Sequence, residues 1–278
     1  AFRNELLRLD SLGNPLIQSF QPGLVGSYYF TYTFNNTNIG QIKNSHYIKL
    51  LAESGGTTFS LIDRNFFGGT GKLDSLTYFQ FYRLNSSFHY YLPLGKKQKL
   101  AFRIHAGLAR PYGVSATLPY EKFYFAGGSN SVRAWAPRRL GPGSYTPPTI
   151  ADNPNEFDYS FEQPGEIIFE TNIEYRFPIY GFFEGALFMD AGNVWMIEDD
   201  SRQGSSFKFP AFLQEMAVGV GVGLRLNFSF LLIRLDAGIK AYDPARAIGQ
   251  RYILNDFDIL NPGKNGQTLL NLGIGYPF

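Results

Sequence analysis

Few residues in this chain could carry out covalent or acid–base chemistry, and their spacing argues against it. Its three histidines, His46, His89 and His105, fall in separate segments without the spacing a metal site needs. Glu198, Asp199 and Asp200 form one acidic run, which a solvated loop explains better than a calcium site does. The glycines from 219 to 223 are no phosphate loop, because no Lys-Ser/Thr closes them and no helix follows. There is no Gly-x-Ser-x-Gly elbow, Asp190 has no nucleophile beside it, and the absence of cysteine removes thiolate and disulfide chemistry. The expectation is therefore no enzyme, no metal and no cofactor. What remains is FAGGSNSVRAWAPRRLGPGSY, residues 125–145, with paired glycines, three arginines and a Gly-Pro-Gly turn but no acid, histidine or cysteine. Arginine's strength is grip, through a planar fork of donors that matches a carboxylate. Gly127 and Gly128 allow a sharp turn or a close approach to a wall, and residues 141–143 reverse the chain.

The elements that must position this loop are strands. Tyr (18), Phe (27) and Gly (30) are abundant and only 17% of residues are charged, which favours a β-protein with tight turns. A net charge of +2 with acids and bases interspersed gives no nucleic-acid stripe. No run reaches the roughly 18 apolar residues of a membrane-spanning helix, so any membrane crossing must use strands. The chain opens on Ala1 with no leader, which reads as a processed product or a fragment.

Period-two alternation runs through residues 28–34, 102–109, 169–177, 217–228, 231–242 and 270–278. In 217–228 one face is Val218, Val220, Val222, Leu224, Leu226 and Phe228, while the other is Ala217, three glycines, Arg225 and Asn227. In 231–242 Arg234, Asp236, Gly238 and Lys240 share the polar face. About nine or ten strands are expected over residues 1–278, read as one domain. Short links at 94–97, 178–181 and 228–230 alternate with long ones at 55–74, 198–210 and 243–267, as in an up-and-down transmembrane barrel. Phe177, Tyr180, Phe228, Tyr276 and Phe278 near strand ends suit aromatic girdles, and in lipid only a closed barrel pairs every backbone group. The glycine face would look into a lumen and leave room for an inserted loop. A soluble sandwich is the alternative that alternation alone leaves open.

The stretch GGSNSVRAWAPRRLGPG, the pair FETNIEYRFP and GALFMDAGNVW, the run GVGLRLNF and the ending LNLGIGYPF together resemble the C-terminal barrel of the BamA/TamA outer-membrane assembly superfamily, the bacterial surface antigen family. The likeness spans nearly the whole chain, with the motifs in family order. The Ala134-Trp135 pair departs from the Gly-aromatic that usually follows the arginine and is similar to a branch found in Bacteroidota.

The resemblance implies an all-β, antiparallel up-and-down barrel of sixteen strands, of which this chain would supply the C-terminal part. It implies an inward-folded loop, about 111–164, with the motif Gly127, Gly128, Val132, Arg133, Ala134 and Trp135. Arg133 would meet Glu174 and Asp190 on the lumen wall; parity puts both acids on polar faces. Asn271, Gly273, Tyr276 and Phe278 match the family's terminal signal and would lie on the strand at a lateral seam. The implied function is insertion or translocation of outer-membrane proteins in a Gram-negative outer membrane. Partners would be membrane lipids, unfolded outer-membrane clients and accessory lipoproteins or periplasmic proteins. The alternatives are a barrel that secretes a passenger or a fused lipase domain, and one that moves lipid.

Overall fold

The computed structural model describes residues 14–278, apart from 21, 38–42, 74–75, 96, 151–152 and 229. The start of the expected domain, residues 1–13, and Asp74 at the end of the 55–74 link lie outside them. Among the described residues nine long strands build one sheet: β1 (Ser27–Asn35), β2 (Ser45–Gly55), β3 (Phe81–Pro93), β4 (Lys99–Pro111), β5 (Ile167–Tyr180), β6 (Phe183–Trp195), β7 (Ala217–Asn227), β8 (Leu232–Tyr242) and β9 (Thr268–Ile274). Each pairs antiparallel with its neighbour in sequence, so the spatial order is the chain order, with β1 and β9 as edges.

The turns sort by length. At one end Leu94 N–H donates to Gln98 C=O at 3.0 Å, Gly181 turns β5 into β6 at φ +57°, and Phe228 N–H donates to Leu231 C=O at 2.9 Å. At the other end lie the connections 56–80, 112–166, 196–216 and 243–267. Phe182 stacks on Phe183 at 4.5 Å and lies tilted against Phe228 at 4.9 Å, placing an aromatic rim at the short-turn end.

Burial decides which face is which. Leu187, Val222, Leu235 and Leu270 are 47–79% exposed, whereas Glu174, Asp190, Arg225 and Arg234 on the opposite faces are at most 1% exposed. A sheet in water would turn its leucines inward, and this one turns them out, as a wall in hydrocarbon must. Among the described residues no helix is long and apolar enough to cross a membrane.

The buried apolar cluster belongs mainly to the 112–166 connection, not to the wall. Leu118, Phe123, Tyr124, Val132, Trp135 and Leu140 from that loop pack with Phe81, Ala109, Val194 and Ala217 of the strands. Wall glycines make the fit possible. A Cβ on Gly219 would lie 2.7 Å from the Ala134 Cβ, and one on Gly238 would lie 2.6 Å from the Arg133 carbonyl oxygen.

The end of the chain departs from expectation. The last strand stops at Ile274, and Gly275 turns the backbone at φ +79°. Tyr276 and Phe278 therefore leave the ladder and are neither strand residues nor girdle anchors. Instead the Tyr276 hydroxyl donates to Glu184 at 3.0 Å, while Phe278 sits edge-on to His89 at 6.1 Å. A positive φ followed by Pro277, which lacks a donor, is the physical reason.

Candidate functional site

The loop reaches the wall through a tight turn. Gly127 and Gly128 take φ of +99° and +98°, and a Cβ at Gly127 would lie 2.3 Å from the Ala136 carbonyl oxygen, so glycine is required there. Gly128 N–H donates to Trp135 C=O at 2.8 Å, and Trp135 N–H donates to Val132 C=O at 3.1 Å. Val132 and Ala134 face Gly192 and Gly219, and Trp135 is buried with the Lys240 ammonium 5.4 Å from its ring centre.

Between Val132 and Ala134, Arg133 is fully buried. Its Nε and Nη2 donate to the two oxygens of Asp190 at 2.8 and 2.9 Å, and its backbone N–H donates to the same carboxylate at 3.1 Å. Its Nη1 bonds Glu174 and lies 3.6 Å from Asp236, and the guanidinium carbon is 3.4 Å from the centre of the Phe188 ring. Burial alone would lower its pKa. The hydrogen bonds and charge of Asp190, followed by Glu174 and Asp236, more than reverse that and raise it.

Further arginines complete the network. Glu174 also takes Arg176 at 2.8 Å and Arg225 at 3.2 Å, while Asp236 pairs with Arg225 and with Arg234 at 3.7 Å. One carboxylate each from β5, β6 and β8 is thus cross-linked to the loop arginine, with Arg225 from β7 between them. The turn itself is held by β4 and β5: Arg103 donates to the Asn130 carbonyl at 2.8 Å and to Glu170 at 3.1 Å, and Ser131 bonds Glu170. From the edge strand, the Asn271 amide donates to the Arg133 carbonyl at 2.9 Å, and a Cβ on Gly273 would lie 2.4 Å from Arg234 Nε. Arg176 reaches the chain end, donating to the Phe278 carbonyl at 3.1 Å beneath the Tyr276 ring.

A second, independent anchor holds the start of the loop. Lys122 Nζ lies 2.6 Å from Glu53 of β2, which also accepts the Ser27 hydroxyl of β1 at 2.6 Å and faces Arg83 of β3 at 3.8 Å. Sequence reading identified neither this anchor nor the roles of Arg176, Arg225, Arg234 and Asp236. Their only signal was a place on a polar face.

The other candidates keep separate company. His46 meets Asn36, His89 meets Ser87 and Tyr91, and His105 meets Glu170 and Asn85. Glu198 pairs with Arg110, Asp200 with Arg202 and Asp199 with Ser206. Among the described residues no three His, Cys, Asp or Glu side chains gather as a metal site would require. The clamp's ion pairs and hydrogen bonds hold the loop in a fixed geometry against the wall.

An oily outer wall, a charged lumen and a loop drawn inside by one arginine define an outer-membrane β-barrel. Residues 27–255 match the Omp85 superfamily domain, and the chain belongs to that superfamily. It is 27% identical over 121 residues to the outer membrane protein assembly factor BamA of Neisseria meningitidis serogroup B, a match covering 42% of this chain and 14% of that protein. The crystal structure of BamA from Haemophilus ducreyi lacking POTRA domains 1–3 aligns with 89% of this chain and 42% of that one, at a TM-score of 0.52 and 14% identity. The chain thus spans less than half the length of these relatives.

Proposed function

We propose that this chain is the part of an outer-membrane assembly barrel that carries the braced inner loop, and that the protein inserts or translocates other outer-membrane proteins without cofactor or covalent chemistry. The buried contact of Arg133 with Asp190 and Glu174 carries the reading, since it ties the loop to β5 and β6. Clients would be engaged by strand addition. Among the described residues β9 pairs on one side only, leaving N–H and C=O groups for an incoming strand. It has 7 residues where β5 has 14, and it ends at a glycine turn, which keeps that edge weak enough to exchange. Unfolded outer-membrane proteins, lipids and accessory periplasmic or lipoprotein partners complete the scheme.

Depletion of the protein in its own cell tests this. Other outer-membrane barrels should fall in abundance and unfolded clients should accumulate in the periplasm, and a copy carrying Arg133→Ala should not restore them. Normal barrel levels with loss of one secreted surface protein would point to passenger secretion instead, and an altered lipid composition alone would point to lipid transport.

A further inference from the structure

The outward face of the sheet is not uniformly oily relief. It contains a furrow of about 690 Å³ across β1–β5, and the register explains its shape. One cross-strand row reads Tyr32, Leu50, Ser86, Ala106 and Phe169. Its two central members are small while its ends are large. In the adjacent row Ala52 stands beside Phe30 and is likewise small. The Ser86 hydroxyl donates to the Ala106 carbonyl at 3.2 Å, so its polar atom is already satisfied and the floor is effectively apolar.

The far bank is built by the connection between β6 and β7. Its short 3₁₀ segment Phe209–Gln214 brings Phe209 and Phe212 over the sheet, with Phe212 edge-on to Phe169 at 5.4 Å. Phe209, 82% exposed, extends the apolar rim of the furrow outward. Trp195 sits behind this bank, 5.5 Å from Phe212 and 5.6 Å from Phe207.

We propose that this furrow is a binding site for one acyl chain of a membrane lipid, held between Tyr32 and Leu50 on one side and Phe169, Phe209 and Phe212 on the other. The occupant follows from the furrow's place. It is continuous with the lipid-facing wall of an outer-membrane barrel, and its lining offers a methylene chain dispersion contacts on three sides where the flat wall offers one. A polar partner strand would find no free hydrogen-bonding group on the floor.

Trp195, behind the bank, makes the test direct. With Trp135 and any tryptophan outside these 278 residues changed to Phe, Trp195 is left as the reporter, and phosphatidylglycerol brominated on its acyl chains is titrated into the purified full-length protein in detergent. Quenching of Trp195 should saturate near one lipid per protein and compete with the unbrominated lipid. Ala106→Phe, which fills the floor, and Phe209→Ala, which removes part of the bank, should each abolish the saturable component. Both variants should keep the resistance to heat in detergent that marks an intact barrel, Phe209→Ala securing the test if Ala106→Phe does not fold. Quenching that rises without saturation, or that saturates unchanged in Phe209→Ala, overturns the site. So does native mass spectrometry showing a second copy of the chain, rather than lipid, lost from the folded variants.

Discussion

The side-chain amide of Asn271, on the edge strand β9, donates to the backbone carbonyl of Arg133. The residue that anchors the inner loop is therefore also the one to which the last strand is fastened. Loop and edge are mechanically joined, and loosening either is felt by the other.

Replacing Asn271 by Ala removes one neutral hydrogen bond, worth about 1 kcal/mol. Amide hydrogen exchange in residues 268–274 should quicken while β5 and β6 stay protected. Asn271→Asp should be worse, because it sets a carboxylate against a carbonyl oxygen. Equal protection of 268–274 in both variants and the parent would show that the bond does not hold the edge.

Arg133→Ala leaves Asp190 buried with Asn172 as its remaining polar side-chain partner and strips Glu174 of one of three arginines. A loss of about 3–5 kcal/mol follows from breaking one side of a buried ion pair. It should appear as a large drop in the temperature at which the barrel loses its compact migration in detergent. Arg139→Ala should cost far less, since buried Nη1 of Arg139 has no hydrogen-bond partner to lose.

Gly238→Ala would press a methyl group into the Arg133 carbonyl. The loop, not the strand, must shift, so a cysteine placed in the loop should become labelled faster. Gly263→Ala meets nothing within 4 Å and serves as the control that should change neither labelling nor heat resistance.

Glu53→Gln weakens the second anchor, leaving Lys122 and Arg83 without their carboxylate charge. The loss should add to that of Arg133→Ala, because the two anchors share no partner. The pair Glu53→Leu with Lys122→Met should be milder than Glu53→Gln alone, since it removes both charges together. These comparisons are read from the same unfolding midpoints.

Strands and faces were legible because alternation is a property of one segment at a time: residues 217–228 show their oily side without reference to any neighbour. The Arg133 contact with Glu174 and Asp190 was legible through the family motif, with parity agreeing. Asp236 and Arg225 were visible only as polar-face residues. Their meeting depends on register, which pairs Gly223 with Asp236, and on a glycine leaving space for the guanidinium. Lys122 and Glu53 lie 69 positions apart, and only the curl of the sheet and the path of the loop bring them together. Tyr276 and Phe278 misled because aromatic spacing fits a strand, while one left-handed backbone angle at Gly275 overrides it.

Residues 112–166 precede β5, β6, β7 and β8, so the loop stands before its seat in the chain. The partners of Arg133, on β5, β6 and β8, all follow it in sequence, so the arginine can be seated only once those strands have paired. The wall is thus locked from within by a segment that its own later strands must embrace.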